Sequence, residues 1–262
     1  MVVLLSTISN PSRPTKLQEF HQKLGVLRDE AGGPFYLSDA DGSDDWPERG
    51  IYVFFSHDTE PLVDPVEEWT ITRIGTVGDS SGSTSTMWDR LRAHRGTVNS
   101  DYGEMGGNHR GSIFRKHVGR AFIEREGLHD EYPHWGVPHR NLPDGISTSE
   151  IRTQEHELEQ RVSEYIRTLP YLVIDIPGEP GPDCERAMLE KNLIALVSHA
   201  RRTSPDLKKD DWLGYHSPRA EIAKTGLWNI QHVSSFYSDD IIQRVEPHIK
   251  DTDPVMPEEH SN

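Results

Sequence analysis

The sequence predicts an α+β fold: a small three-stranded sheet covered by helices, with a helix in front and an extension behind. Three observations carry this. Apart from the opening MVVLLSTI, an N-terminal strand or a loose end, only 50–55, 69–77 and the run PYLVIDIP read as strands. The segments between them have helical rather than alternating apolar spacing. The third strand also arrives only after three helices, so connections are long for so few strands, as in a sheet with segregated helices.

The elements follow in order. TKLQEFHQKLGVLRDEAGG places Leu17, Phe20, Leu24 and Leu27 at helical spacing and ends at Gly32 and Gly33. DADGSDDWPE is a polar loop. The first two strands are joined by a loop holding Pro61 and Pro65, and DSSGSTST follows the second as a Ser/Gly loop. A short helix starts near Met87, with Thr86 and Asp89 in a capping-box pattern and Gly96 as its stop. In SIFRKHVGRAFIERE, Ile113, Phe114, His117, Val118, Ala121 and Phe122 form an apolar stripe opposite Arg115, Lys116 and Arg120. Residues 127–148 read as an inserted loop, 149–168 as a helix, and 183–200 as a long helix after the last strand. Boundaries near 45 and 200 mark an N-terminal helical extension (1–45), a central unit (46–200) and a C-terminal extension packed on it (201–262).

Composition narrows the class. The 262 residues carry a net charge of −15. Taken alone, that opposes a nucleic-acid partner, because phosphate binding is driven by cations. The positive charge is patchy, however: from Arg90 to Arg120 there are seven Lys or Arg and two acids, Asp101 and Glu104. Eight Lys against twenty Arg, with abundant acids, suits solubility in high salt, though an ordinary acidic protein reads the same way. No apolar run approaches the roughly 20 residues of a membrane span. The opening MVVLLSTI is too short for a signal peptide and lacks its positive flank. The single cysteine, Cys184, excludes an internal disulfide and a cysteine-built zinc site, and a reducing cytoplasm is the expected compartment.

Two features point to chemistry. In CERAMLEKNLIALVSHA, Ala187, Leu189, Leu193, Ile194, Leu196 and Val197 define an apolar face, and Glu190 falls near its middle. A carboxylate there needs a metal, a cation or a strong donor. A functional carboxylate and a Glu paired with a neighbouring Arg both satisfy that. Arg90 and His94, four residues apart, share one helix face. That face is either a phosphate clamp with a proton-handling partner or a solvated surface.

Taken in order, GIYVFF, TRIGTVG, WDRLRAHRG and CERAMLEKNLIALVS resemble the GIY-YIG nuclease superfamily over roughly residues 46–200. The surroundings are similar to a bacterial and archaeal branch in which GGNHRGSIFR, WLG and GLWN recur. Gly50-Ile51-Tyr52 matches GIY, and Arg73-Ile74-Gly75 stands in the YIG place. Arg90 and His94 match the Arg and the residue one turn later, and Glu190 matches the metal-ligand Glu. The resemblance implies an antiparallel sheet and an endonuclease cutting phosphodiester bonds, in DNA, with Mg²⁺ or Mn²⁺. It implies that Tyr52 activates the nucleophile, Glu190 holds the metal, Arg90 clamps the phosphate, and His94 hydrogen-bonds it or relays a proton. Arg73 would be a second phosphate contact. Two departures stand out: Arg73 replaces the YIG tyrosine, and the family's later Asn is absent at its usual spacing, with Asn229 as a spatial substitute. A domain that binds nucleic acid or a protein without cutting is the alternative.

In GGNHRGSIFRKHVGR the glycines free the backbone, Ser112 can cap a helix, and Asn108, His109 and Arg110 add donors where helix N-termini favour anions. Asn108, His109, Arg110, Arg115 and Lys116 are therefore expected at a nucleic-acid backbone, with a structural loop as the other reading. His134 and His139 lack partner ligands and read as loop histidines. Trp212 and Trp228 read as packing residues of the extension.

Overall fold

The computed structural model describes residues 13–56, 70–97, 106–198 and 212–256. Three strands, β1 (Gly50–Ser56), β2 (Thr70–Thr76) and β3 (Tyr171–Asp175), form one antiparallel sheet in the order β2-β1-β3. Helix α1 (Arg13–Ala31) precedes them. Between β2 and β3 come α2 (Met87–Arg95), α3 (Ile113–Glu126), α4 (Thr148–Gln154) and α5 (His156–Arg167). Helices α6 (Glu185–Val197), α7 (Ala220–Thr225) and α8 (Ile241–Asp251) follow β3. The single helix expected over 149–168 is two, divided at Glu155.

Strand alternation gives the sheet two buried faces, each with its own core. Ile51, Val53 and Phe55 of β1 face one side, with α1, α6 and α8. Tyr52 and Phe54 face the other, with α2, α3 and α5. The segments at both chain ends share these cores: Leu17, Leu24, Val245 and Ile249 pack in the first, and Trp212, Ile222 and Trp228 in the second.

A bulge sets the geometry of β2. Phe54 pairs with Arg73 but Phe55 pairs with Ile71, so Thr72 is the extra residue. The alternation restarts there, which puts Ile71 and Ile74 on the first face. Arg73, in regular register opposite Phe54 and two residues from Gly75, lies on the Tyr52 side, where its guanidinium stacks on Phe114 at 4.8 Å.

Edge strand β2 is closed by the GLWN segment. Trp228 N–H donates to the Thr72 carbonyl at 2.7 Å. The Asn229 amide accepts from Ile74 N–H at 3.1 Å and donates to the Ile74 carbonyl at 2.8 Å. One side chain thus imitates a neighbouring strand where the edge would otherwise be unpaired.

Candidate active site

Two glycines explain the motif tripeptides. Tyr52 pairs with Gly75 across β1 and β2. A Cβ at Gly75 would come 2.1 Å from the Tyr52 hydroxyl, so the phenol crosses β2 only because that position is bare. A Cβ at Gly50 would fall 2.0 Å from the Ile174 carbonyl of β3. Both glycines are steric requirements of the sheet beneath the site.

Helix α2 brings His94 behind Tyr52. The Thr86 hydroxyl accepts from Asp89 N–H at 3.1 Å, and the Asp89 carboxylate accepts from Thr86 N–H, also at 3.1 Å. That capping box fixes the start of the helix. His94 Nε2 lies 3.0 Å from the Tyr52 hydroxyl and His94 Nδ1 lies 2.8 Å from Ser112 Oγ. Ser112 also caps α3, accepting from Arg115 N–H at 3.3 Å. A Ser–His–Tyr chain therefore runs from the start of α3 to the face of the sheet. His94 is 1% exposed. Burial above all, and then Arg73, Arg90 and Arg115, push its pKa well below the usual imidazole value, so it is neutral at neutral pH.

A cleft of about 190 Å³ opens in front of this chain. Tyr52, Arg73, Asp79, Arg90, His117 and Glu190 line it, from β1, β2, the loop after β2, α2, α3 and α6. A second cavity of about 210 Å³, between Phe35, Tyr36, Trp46 and Val255, shares no residue with it and brings no cations together. The convergence of charge singles out the first.

Glu190 makes no ion pair among the described residues, so a paired structural glutamate is not what occupies this face. Burial pushes its pKa up to about 7; nearby Asp79 adds to the rise, while Arg73, Arg90 and a hydrogen bond from the Thr76 backbone oppose it. The loop carrying Asp79 is pinned from α6. Arg186, one turn before Glu190, donates to the carbonyls of Val77, Gly78, Ile176, Gly178 and Glu179 at 3.0–3.1 Å. One helix thus supplies Glu190 and holds the loop of its carboxylate neighbour.

Of the expected residues, Tyr52, Arg73, Arg90 and Glu190 meet at the cleft. His94 is not among the lining residues and reaches the cleft through the Tyr52 hydroxyl. Asn229 lines the cleft, but its amide oxygen and nitrogen are both engaged by Ile74.

The set expected at a nucleic-acid backbone divides. Arg115 is 0% exposed and is held by the Glu159 carboxylate (3.0 Å from Nε), the His94 carbonyl (3.0 Å) and Ser163 (2.9 Å). His109 gives its backbone N–H and Nδ1–H to Glu159 at 2.6 and 2.9 Å, and its Nε2 accepts from Gly136 N–H at 2.9 Å. Arg110 pairs bidentately with Glu155. The expected backbone contacts at His109, Arg110 and Arg115 are corrected accordingly: each group is committed to an internal partner that lies 44 to 50 residues away in sequence. Asn108 is exposed and caps Arg110 N–H, and Lys116 is half-buried on α3. The packing roles expected of Trp212 and Trp228 hold: both are buried, their rings 5.3 Å apart.

The match to known proteins decides the family. The GIY-YIG domain model fits residues 11–255, nearly the whole chain. This chain belongs to the GIY-YIG family. No curated protein and no solved structure matched it. The GIY-YIG match carries a nuclease-type function, with nucleic acid as the general substrate class. It extends well beyond 46–200, in keeping with cores that α1 and α8 help to build.

Sequence reasoning missed Asp79, Ser112 as a histidine partner, and His117 as a cleft residue. Asp79 lay four residues beyond Gly75 and looked like loop. His117 looked like core because it sits on the apolar stripe of α3.

The site fits a divalent metal. Among the described residues no three His, Cys, Asp or Glu side chains cluster as a closed metal site. Glu190, unpaired and with Asp79 near enough to raise its pKa, is instead the open one- or two-carboxylate arrangement that Mg²⁺ takes with substrate phosphates.

Among the described residues no helix is long and apolar enough to cross a membrane.

Proposed function

We propose that this chain is a metal-dependent endonuclease that cleaves phosphodiester bonds in DNA. The observation that supports it best is the meeting of Tyr52, Arg73, Arg90 and Glu190, from four separate elements, in one cleft with His94 bonded behind Tyr52. Glu190, with Asp79 beside it, would hold Mg²⁺ or Mn²⁺, which prefer oxygen ligands. Bound there, the ion supplies Lewis-acid polarisation of the phosphate and stabilises the leaving oxygen.

The remaining steps belong to the protein. Arg90 and Arg73 face the phosphate and offset the charge that builds on its oxygens. Tyr52 takes the proton of the attacking water as it passes its own to His94 Nε2, with Nδ1–H directed at Ser112. Burial above all, and then Arg73, Arg90 and Arg115, depress His94 in the free protein, and the incoming phosphate offsets the charge of Arg73 and Arg90. His94 therefore gains basicity when substrate is in place. A cytoplasmic location follows from the single cysteine and remains part of this reading.

A domain that binds without cutting is the second reading, and Arg73 favours it. It stands where the family has a tyrosine, and its Nη1 is committed to the Trp228 carbonyl at 2.9 Å. Cleavage of plasmid DNA with Mg²⁺ or Mn²⁺, across a salt series and beside Glu190→Ala, separates the two. Cutting that disappears with EDTA and in the variant supports the nuclease. A folded wild type that binds DNA but never cuts it supports the binding domain.

A further inference from the structure

His117 is the unexplained group in the cleft. It is 2% exposed, lines the pocket, and neither ring nitrogen has a hydrogen-bond partner among the described residues. Buried polar side chains are ordinarily partnered, so an imidazole left open at a cleft wall points to a ligand.

The charges around it are all of one sign. Burial first, then Lys116, Arg73, Arg120 and Arg219, depress its pKa to about 3. Lys116 is itself lowered by burial, Arg120 and Arg219. Lys116 and Arg120 are one turn apart on α3 and lie side by side over Gly136. A Cβ at Gly136 would sit 2.8 Å from Arg120 Nη2 and 3.2 Å from Lys116 Cδ. Neither has a carboxylate within ion-pair distance among the described residues, and Arg219 pairs only with half-exposed Glu221 at 3.1 Å. Acids outnumber bases 43 to 28 in this chain, and Arg110 and Arg115 nearby each hold a glutamate. Clustered cations lacking an acid in so acidic a protein leave room for an external anion. Arg73 acts on both His117 and Glu190, so the cluster is continuous with the cleft.

We propose that His117, Lys116 and Arg120, with Arg219 at the edge, form a second anion subsite that holds a nucleic-acid phosphate next to the one being cut. This rests on the nuclease reading and adds the path of the strand, which leaves the cleft over α3. Neutral His117 donates its ring N–H to a phosphate oxygen, while Lys116 and Arg120 supply the charge.

The test is fluorescence anisotropy of a labelled DNA duplex in EDTA, over a salt series. It compares the wild type, Lys116→Ala/Arg120→Ala, His117→Leu and His117→Gln, with melting temperatures as a fold control and metal-dependent cleavage of the same duplex measured for the wild type. Losing one phosphate contact lowers the slope of log affinity against log salt by about 0.9, and the double variant is expected to show that loss. His117→Leu is expected to bind about tenfold more weakly, the scale of a hydrogen bond to a charged group. His117→Gln, which keeps a donor, is expected to recover most of it. Unchanged slope and affinity beside a wild type that cuts overturn the subsite and leave the nuclease standing. A folded wild type that neither binds nor cuts removes both.

Discussion

Gly75 and Tyr52 act as one unit: the phenol reaches His94 only because nothing projects from β2 beneath it. Gly75→Ala is therefore expected to displace Tyr52 and abolish DNA cutting while the far-UV circular dichroism stays native. Glu190 carries the clearest pH signature. Its folded pKa is raised to about 7 against an ordinary 4.5 in the unfolded chain. Between those values the folded state holds the extra proton, so stability falls as pH rises through that window. Glu190→Gln removes the cost. It is expected to stabilise the metal-free protein by on the order of 2 kcal/mol at pH 8, and to melt like the wild type at pH 4. A variant no more stable at pH 8 would mean that the carboxylate is not strained by burial. At limiting metal, cutting is expected to rise as pH passes about 7, and saturating metal should move that midpoint down, because metal needs the ionised form. These residues were legible in sequence. The order of motifs downstream singled out Tyr52, and helical spacing placed Glu190 on an apolar face. Arg73, two residues before Gly75, shares its face by strand alternation; the placement of Ile71 on the face of Ile74 was not legible, because it depends on the bulge at Thr72.

Helices α2, α3 and α5 are tied by one buried guanidinium. Arg115 joins Glu159 and Ser163 of α5 to the His94 carbonyl of α2. Its partner Glu159 is held down to about 2: burial opposes ionisation, but the His109 hydrogen bond and the Arg115 charge and hydrogen bonds outweigh it. Arg115→Leu leaves that carboxylate buried without its main cation. Urea unfolding is expected to show a loss of about 3–5 kcal/mol, and a loss under 1 kcal/mol would mean that the site tolerates the change by taking in water. The sequence showed α3 with Arg115 opposite its apolar stripe and so suggested exposure. Nothing local revealed a glutamate 44 residues on. The Asn229 clamp on β2 was hidden for the same reason, being a contact across 155 residues. Caps and stops, made by near neighbours, were legible: Thr86, Asp89, Gly96 and Ser112 all stand as the sequence placed them.

Among the described residues the sheet lies between two helical layers, and α1 and the segment 212–256 help complete the two cores. Residues 212–256 put Trp212, Ile222 and Trp228 into one and Ile241, Val245 and Ile249 into the other. A chain ending at Ser198 is therefore expected to lack a cooperative melting transition in calorimetry. The boundary near 200 falls where the family resemblance and the last central helix end; on its far side, residues 212–256 contribute to the same two cores. The net charge of −15 would discourage nucleic acid as a partner, yet the cleft gathers Arg73 and Arg90 beside Glu190 and Asp79. Local charge, rather than the sum, is what a phosphate would meet. The most direct test of that cleft is the single-turnover rate of DNA cleavage by Tyr52→Phe, which removes one oxygen and keeps the ring packing. The nuclease account predicts a fall of about 10²–10⁴-fold in a protein that still folds, less stable only by the roughly 1–3 kcal/mol of leaving buried His94 Nε2 without its partner. A Tyr52→Phe protein that cuts at the wild-type rate would contradict it.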